Sequence, residues 1–441
     1  MTEAARFGDS IARRSAVVAT ALKLLLLLTF VVAYLNPVLR ASEESIFTAF
    51  RLLLPLVGAV FFVRFAHRSG TRRVILCIAV VLAYSLVQMT AFGLLSDGFI
   101  WSYLINVIAL IVFIFFIHTY QELYGRDSLF RHLYFWYAVL VIASIHQLLT
   151  GFAYPNVEHR EGVARIFHGQ ENDASLALAA FVPILLQRSR RDPLAVVLLV
   201  AGVCIIYLND TRGVLIGVVA YPVMLAVPWL ANALGRRAKV LKPLLGLLIL
   251  SVLLTTIGTM KDVPIELANK ESSLGELVVE PLAQIAAGEK MDAELTSINL
   301  RVTMTIVGLQ QFFSTFGFGI GPGASTHFVE QYYSGIATSM HVFPLQLLTE
   351  YGWLFLAVML WITAKFGPRL GWRRFVPLFF FFNLVTISIT AGAITNYYFF
   401  ACAAFALTAP TIAKGQEIRP MREPNSARVG KIPASALKLG S

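Results

Sequence analysis

Long apolar runs recur along the chain, and they constrain its fold more than any other feature. Each run is close to about twenty residues, the length of an α-helix that crosses the hydrocarbon core of a bilayer. The 441 residues are 57% hydrophobic and only 14% charged, whereas soluble globular domains carry roughly 25% charged residues. The sequence therefore predicts an all-α polytopic membrane protein.

Twelve transmembrane helices are predicted from apolar runs bounded by charged or turn residues. They cover roughly residues 16–35, 46–64, 74–95, 99–120, 133–150, 172–187, 194–209, 213–231, 241–259, 341–361, 375–392 and 395–413. We expect helices 1 to 9 within residues 1–259, one large loop with short helices in 260–340, and helices 10 to 12 within 341–413. Residues 414–441 have the composition of a disordered tail.

Basic residues fall mainly on one set of alternate connections and on the termini. Examples are Arg13–Arg14, Arg72–Arg73, Arg190–Arg191, Arg236–Arg237 and Arg373–Arg374. Lys and Arg beside membrane helices favour the cytoplasmic side, so both termini are predicted to be cytoplasmic and the large loop to face outward. We interpret the net charge of +11 as a result of this topology and as suited to contact with anionic lipid headgroups. It does not predict nucleic-acid binding.

Arg212 lies in the short polar junction Asn209–Gly213, between two apolar runs. An arginine close to the bilayer is costly unless it reaches water or faces protein. One interpretation is a snorkelling arginine or an ion pair with Asp210. The other is an anion-binding arginine that lines an outward cavity, and this makes Arg212 a candidate site residue.

Arg301 opens a helix-like stretch that leads into the glycine-rich segment Phe316–Gly323. Arg301 alone is also consistent with a surface residue or a helix-end ion pair. Glycines allow a backbone to approach a ligand closely, although such segments also form plain loops. Arg301 is therefore a second candidate for anion binding.

Arg165 belongs to a polar loop after the fifth predicted helix, Glu158–Asn172, which carries histidines, arginines and glutamates. Such a loop either lines a cavity or is simply solvated. Arg165 is favoured over Arg160 because it lies closer to the turn at 169–172.

His341 begins the tenth predicted helix, and Pro344 fits the first turn of that helix, where a missing amide hydrogen is tolerated. The positive end of a helix dipole attracts anions and favours a neutral imidazole. A neutral histidine can take a proton from a hydroxyl. The alternative is a hydrogen-bonded histidine at the membrane surface.

Arginines and a histidine on one side of the membrane indicate transfer from a phosphate-activated lipid. Guanidinium groups bind phosphate through a planar fork of donors and would stabilise a departing diphosphate. A base that activates the incoming hydroxyl would raise the reaction rate by roughly 10²–10⁴-fold. No paired outward aspartates with metal-binding spacing stand out. We therefore expect a mechanism that uses neither a metal nor a cofactor.

The chain resembles the bacterial O-antigen ligase and polymerase superfamily. The resemblance is carried by Thr211–Gly213 at a helix junction, by Arg301 preceding Phe316–Gly323, and by His341 followed by Leu345–Gly352. The plan of twelve helices with one large periplasmic loop also fits. In two places the chain departs from the family pattern: Val342 stands where Asn is common, and Thr211 where Ser is common.

The resemblance implies a membrane glycosyltransferase of the C type in the inner membrane, with a periplasmic active site. Its donor would be undecaprenyl-diphosphate-linked O-antigen and its acceptor a sugar hydroxyl of lipid A-core. Arg212 and Arg301 would hold the diphosphate, Arg165 would assist them, and His341 would be the catalytic base of an inverting reaction. Val342 leaves open whether a side-chain amide orients the base.

Other functions stay open from the sequence. An O-antigen polymerase shares the donor and differs in its acceptor, and a protein O-glycosyltransferase is another relative. The peptidoglycan polymerases of the shape, elongation and division family are more distant. A lipid-linked oligosaccharide flippase or transporter is an alternative of a different class, but transporters place ionisable groups near the membrane midplane.

Overall fold

A computed structural model describes residues 3–36, 38–39, 48–65, 69–152, 154, 162–167, 171–189, 192–233, 297–327, 342–386 and 394–408. Within these ranges the regular structure is α-helical and contains no β-strand. In chain order the helices are α1 (Glu3–Tyr34), α2 (Ala49–Phe65), α3 (Ser69–Ala91), α4 (Gly98–Tyr124), α5 (Arg126–Thr150), α6 (Glu171–Ala180), α7 (Val182–Arg188), α8 (Pro193–Leu208), α9 (Arg212–Ala233), α10 (Ser297–Ser314), α11 (Phe343–Tyr351), α12 (Trp353–Leu370), α13 (Trp372–Leu384) and α14 (Tyr397–Leu407).

Four segments of the described chain are long and apolar enough to cross a membrane. They are Gly70–Ala91, Gly98–Tyr124, Arg126–Thr150 and Trp353–Leu370. The 27 residues of α4 extend for about 40 Å at 1.5 Å per residue, which exceeds a hydrocarbon core of roughly 30 Å. The chain is therefore a multi-pass helical membrane protein, as the apolar runs predicted.

Parts of the predicted plan fall outside the described residues. These parts are the ninth span, 241–259, the loop segments 260–296 and 328–340, and the tail 414–441. The described part of the predicted loop, residues 297–327, contains α10 and a glycine-rich turn. The number of spans and the side that each connection faces stay predictions.

Two of the predicted helices are each divided in two. The sixth is interrupted at Phe181, just before Pro183 in the first turn of α7, because proline cannot donate the amide bond that would continue α6. The tenth, predicted at 341–361, is divided between α11 and α12 at Gly352, whose φ is 50°. This left-handed conformation suits glycine and ends a right-handed helix.

Large apolar side chains cover the outside of the helices as well as the core. Val63 and Leu149 are 82% and 80% exposed, which fits surfaces that face lipid. Inside, aromatic rings from different helices pack together: between ring centroids, Phe113 of α4 lies 5.7 Å from Phe30 of α1, edge to face, and 5.1 Å from Tyr397 of α14, at a tilt of 60°. Such aromatic pairs stabilise beyond simple burial, and they hold the helices whose ends carry the polar groups.

Candidate active site

One buried amide joins the loop that carries Arg165 to the turn that carries Arg212. Asn209, which is 4% exposed, accepts a hydrogen bond from the Ala164 amide and donates to the Ala164 carbonyl, each at 2.9 Å. Its side chain also donates to Ser175 Oγ at 3.1 Å. We call residues 162–167 together with Asn209–Arg212 the arginine junction. Arg165 and Arg212 are both part of it.

Arg165 is largely buried in the arginine junction and forms an ion pair. It is 9% exposed, and its Nε lies 3.1 Å from Glu171 Oε2. Its backbone amide and that of Ile166 donate to Gln147 Oε1 at 2.9 and 2.8 Å. The charge of Arg165 is therefore partly compensated, and its backbone is fixed by α5.

Arg212 is the first residue of α9 and is more accessible. It donates from Nε to Asp210 Oδ1 at 3.0 Å and from Nη2 to Asp210 Oδ2 at 3.4 Å. The side chain of Arg212 is 38% exposed and that of Asp210 is 75% exposed. This ion pair is the interpretation that the sequence left open as an alternative to anion binding. Exposed pairs of this kind contribute little free energy, so a phosphate can replace Asp210 at the same guanidinium fork at small cost.

The glycine-rich segment forms a turn that packs on the break between α11 and α12. We call Phe316–Gly323 the glycine turn. The amides of Ile320 and Gly321 donate to the carbonyls of Thr349 and Glu350 at 3.0 and 3.1 Å, and the Trp353 amide donates to the Gly317 carbonyl at 2.8 Å. These bonds pair the turn with the end of α11.

Sterics explain why glycine is needed on both sides of this contact. A Cβ on Gly319 would lie 2.5 Å from the Glu350 carbonyl oxygen, and a Cβ on Gly352 would collide with the Gly317 carbonyl. Both glycines also have positive φ. The sequence suggested that glycine brings backbone close to a ligand; here it brings two backbone segments of the protein together.

Buried polar side chains reinforce this contact. Glu350, with no exposed surface, accepts hydrogen bonds from Ser325 Oγ at 2.5 Å and from Gln346 Nε2 at 2.9 Å. Gln88 of α3 donates to the carbonyls of Phe318 and Glu350 at 2.7 and 2.8 Å. The glycine turn is thus fastened to both α3 and α11. Sequence reasoning missed these roles, although a glutamate in an apolar run was a signal for Glu350.

The helix that carries Arg301, α10, and the start of α11 meet in one apolar cluster. Arg301 lies in α10, and its side chain is outside the described residues. One turn further along α10, Met304 is buried in a cluster with Ile320 and Leu345, and Val342 packs against the same cluster. The helix that carries Arg301 and the residue after His341 are therefore neighbours.

The end of α13 links α9 with the start of α11. Val385 lies so close to Gly217 of α9 that a Cβ there would be 2.5 Å from Val385 Cγ1. The next residue, Thr386, accepts a hydrogen bond from the Phe343 amide at 3.4 Å. Gly217 is five residues from Arg212, about 7.5 Å along the helix. The helices that begin near Arg212 and near His341 therefore share one packing partner.

His341 itself lies outside the described residues. The segment that follows it agrees with the prediction: Val342 is extended, α11 begins at Phe343, and Pro344 is in the first turn. Among the predicted site residues, the structure thus connects the segments of Arg165 and Arg212 through Asn209. It packs α10, the helix that carries Arg301, beside the start of α11.

Comparison with known families gives a match in the second half of the described chain. Residues 194–362 match a family described as O-Antigen ligase, which confirms the resemblance seen in the sequence. The matched region begins in α8 and ends in α12, so it includes Arg212, Arg301 and His341. Comparisons with curated proteins and with solved structures gave no match.

Proposed function

We propose, from the match of residues 194–362 to a family described as O-Antigen ligase, that this protein is an O-antigen ligase. It moves O-antigen polysaccharide from undecaprenyl diphosphate to a sugar hydroxyl of lipid A-core, at the periplasmic face of the bacterial inner membrane. The single observation that carries the proposal is that this match spans all three principal candidate residues, Arg212, Arg301 and His341.

The arginines hold the diphosphate of the donor. Arg212 exchanges its exposed partner Asp210 for phosphate oxygens, and Arg301 supplies a second guanidinium. Guanidinium groups keep their charge and bind phosphate oxygens in pairs, so they stabilise negative charge as the diphosphate leaves. Arg165 has a smaller share because Glu171 already compensates part of its charge.

His341 activates the acceptor. Its imidazole takes the proton of the acceptor hydroxyl while the oxygen forms a bond to the anomeric carbon. The bond from that carbon to the diphosphate breaks, and its electron pair leaves with the lipid carrier. A single displacement of this kind inverts the configuration at the anomeric carbon.

The packing of the helices supports a common site for these groups. The end of α13 contacts both α9, which begins at Arg212, and the first residue of α11, two positions after His341. The apolar cluster around Met304 packs against Val342 from the side of α10. These contacts favour a site at the helix ends. A transporter would instead place its site near the middle of the membrane.

Reconstitution with purified protein tests the proposal. We expect transfer of glycan from the lipid-linked donor to lipopolysaccharide that lacks O-antigen, with no added nucleotide. His341→Ala should lower the rate about 100-fold or more, whereas His146→Ala, at an exposed histidine of α5, should leave it unchanged.

Four results would contradict or redirect the proposal. Full activity in His341→Ala removes the base. Extension of the lipid-linked glycan without modification of lipopolysaccharide indicates a polymerase, and transfer to protein indicates a protein O-glycosyltransferase. Movement of intact donor across a bilayer without transfer indicates a flippase.

A further inference from the structure

The end of α10 presents apolar side chains on its outer surface. Leu309 and Phe313 are both exposed, and because they are four residues apart they lie on one face of the helix. Phe313 is 71% exposed, and Phe316, which begins the glycine turn, is 91% exposed. We call Leu309, Phe313 and Phe316 the outer stripe. Contact with water is unfavourable for such a group of apolar side chains, and exposed apolar patches mark surfaces that meet a partner or a membrane.

The circumference of α10 is divided into three kinds of surface. Met304, Val307 and Phe312 are buried against the rest of the protein. Gln310 and Ser314 are exposed and polar, and each lies one position after a residue of the outer stripe, about 100° further around the helix. One side of α10 thus faces protein, a second is polar and a third is apolar. A helix that lies in the interface between lipid and water needs both a polar and an apolar surface.

Charged residues are absent from the sequence around the outer stripe. Residues 302–326 contain no Asp, Glu, Lys or Arg, whereas soluble domains carry roughly 25% charged residues. This stretch belongs to the predicted outward loop, 260–340, and a loop surrounded by water has no reason to avoid charge. The composition therefore favours contact with the acyl chains of lipids.

Trp353 relates the outer stripe to the bilayer. It is the exposed first residue of Trp353–Leu370, one of the segments that can cross a membrane. Its indole Nε1 donates to the Phe316 carbonyl at 2.8 Å, and its ring meets that of Phe312 edge to face, with centroids 5.7 Å apart. Tryptophan is enriched where membrane spans meet the lipid headgroups. Phe316 is therefore level with the end of this span.

We propose that the outer stripe inserts into the acyl chains of the outward leaflet, so that the end of α10 is an interfacial helix. The partner is the phospholipid bilayer itself. This contact holds the glycine turn, which begins at Phe316, at the surface of the membrane. The inference goes beyond the proposed function and does not depend on it, because it concerns how the outward loop meets the membrane, whichever glycan is transferred.

Spin labels on single cysteines test the inference in the full-length protein. Phe313→Cys and Gln310→Cys are each made in a background in which the exposed Cys77 and Cys204 are replaced with alanine and the buried Cys402 is kept. The labelled proteins are reconstituted in nanodiscs of phosphatidylethanolamine and phosphatidylglycerol. Dissolved oxygen concentrates among acyl chains and a nickel chelate stays in water, so the relaxation that each agent causes reports the surroundings of the label.

The comparison of Phe313→Cys with Gln310→Cys is matched, because both positions are exposed and lie on adjacent sides of one helix. We expect the ratio of oxygen relaxation to nickel relaxation to be several-fold higher for the label at 313 than for the label at 310. Phe316→Cys is a second variant for the same stripe, and its label should give a ratio close to that at 313.

Any of four other results would overturn the inference. Strong relaxation by the nickel chelate at both 313 and 310 means that the outer stripe lies in water. Weak relaxation by both agents at 313 means that another segment of protein covers it. Strong broadening between labels at 313 means that a second copy of the chain covers it. A high oxygen ratio at both positions means that α10 is immersed in the bilayer and does not lie at its surface.

Discussion

The arginine junction and the glycine turn both place polar groups at helix ends, but they are held in different ways. The arginine junction depends on side-chain hydrogen bonds: Asn209 makes two across it to Ala164 and one to Ser175 of α6, and Gln147 accepts two more from its backbone. The glycine turn depends on backbone bonds and on the absence of side chains where it meets Gly352. The first region should therefore be sensitive to loss of a polar group, and the second to any added atom.

Gly352→Ala should have the largest effect of the substitutions considered. The new Cβ would collide with the Gly317 carbonyl, and the backbone would have to leave its left-handed conformation. We expect the free energy of unfolding to fall by about 4 kcal/mol, measured by thermal or denaturant unfolding in detergent.

Gly93→Ala is the control for backbone strain alone. Gly93 also has a positive φ, 69°, but no atom lies within 4 Å of its built Cβ. We expect a loss of about 1 kcal/mol. If the two variants lost equal stability, steric fit would not be what distinguishes the glycine turn.

Asn209→Ala should have the next largest effect. It leaves the buried amide and carbonyl of Ala164 without their partner, which should cost about 3 kcal/mol. Asn383→Ala is the control, because the Asn383 side chain donates only within its own helix, to Phe379 at 2.7 Å, and should cost about 0.5 kcal/mol. Unfolding in detergent measures both, and a mild effect at Asn209 would show that other contacts hold the arginine junction.

Asp210→Asn should change stability by less than about 0.5 kcal/mol, because an exposed ion pair contributes little. Asparagine tolerates the left-handed φ of 50° at this position, as alanine would not. Transfer should be retained, since Arg212 keeps its charge and loses a competitor for phosphate. A loss of transfer with unchanged stability would indicate that Asp210 itself acts in the reaction.

Ionisation of Asp97 should make the smallest contribution to stability, and the pH dependence of that contribution should be confined to acid pH. Partial burial raises the pKa of Asp97, but hydrogen bonds from His327 and from the amides of Phe99 and Ile100 outweigh it, so the pKa lies below its ordinary value of 3.8. The stabilisation is complete above that value and is lost as pH falls through the folded-state pKa.

Unfolding of wild type and Asp97→Asn at pH 6 and pH 3 measures this dependence. The stability difference between the two proteins should narrow at the lower pH. A difference that is the same at both values would mean that ionisation of Asp97 does not stabilise the fold.

Local patterns in the sequence predicted most of the described helices, and long-range contacts explain what they missed. Apolar runs located the helices, and Pro344 indicated the first turn of α11. The bond between Gln88 and Glu350 joins residues 262 positions apart, and the bridge from Asn209 to Ala164 joins residues 45 apart. No local periodicity encodes such pairings, so the side chains of Gln88 and Asn209 did not stand out as structural. The division at Gly352 was missed because its apolar neighbours read as one continuous span.

Glycan transfer by Arg212→Ala, compared with Arg188→Ala, tests the central claim most directly. Both arginines pair with a nearby aspartate, since Arg188 Nε lies 3.7 Å from Asp192 Oδ2, but Arg188 is predicted to lie on the cytoplasmic side. With both variants folded, we expect Arg212→Ala to lower the rate of transfer from the lipid diphosphate about 100-fold and Arg188→Ala to keep the wild-type rate. Wild-type transfer by Arg212→Ala would contradict the assignment of the diphosphate site to the arginine junction.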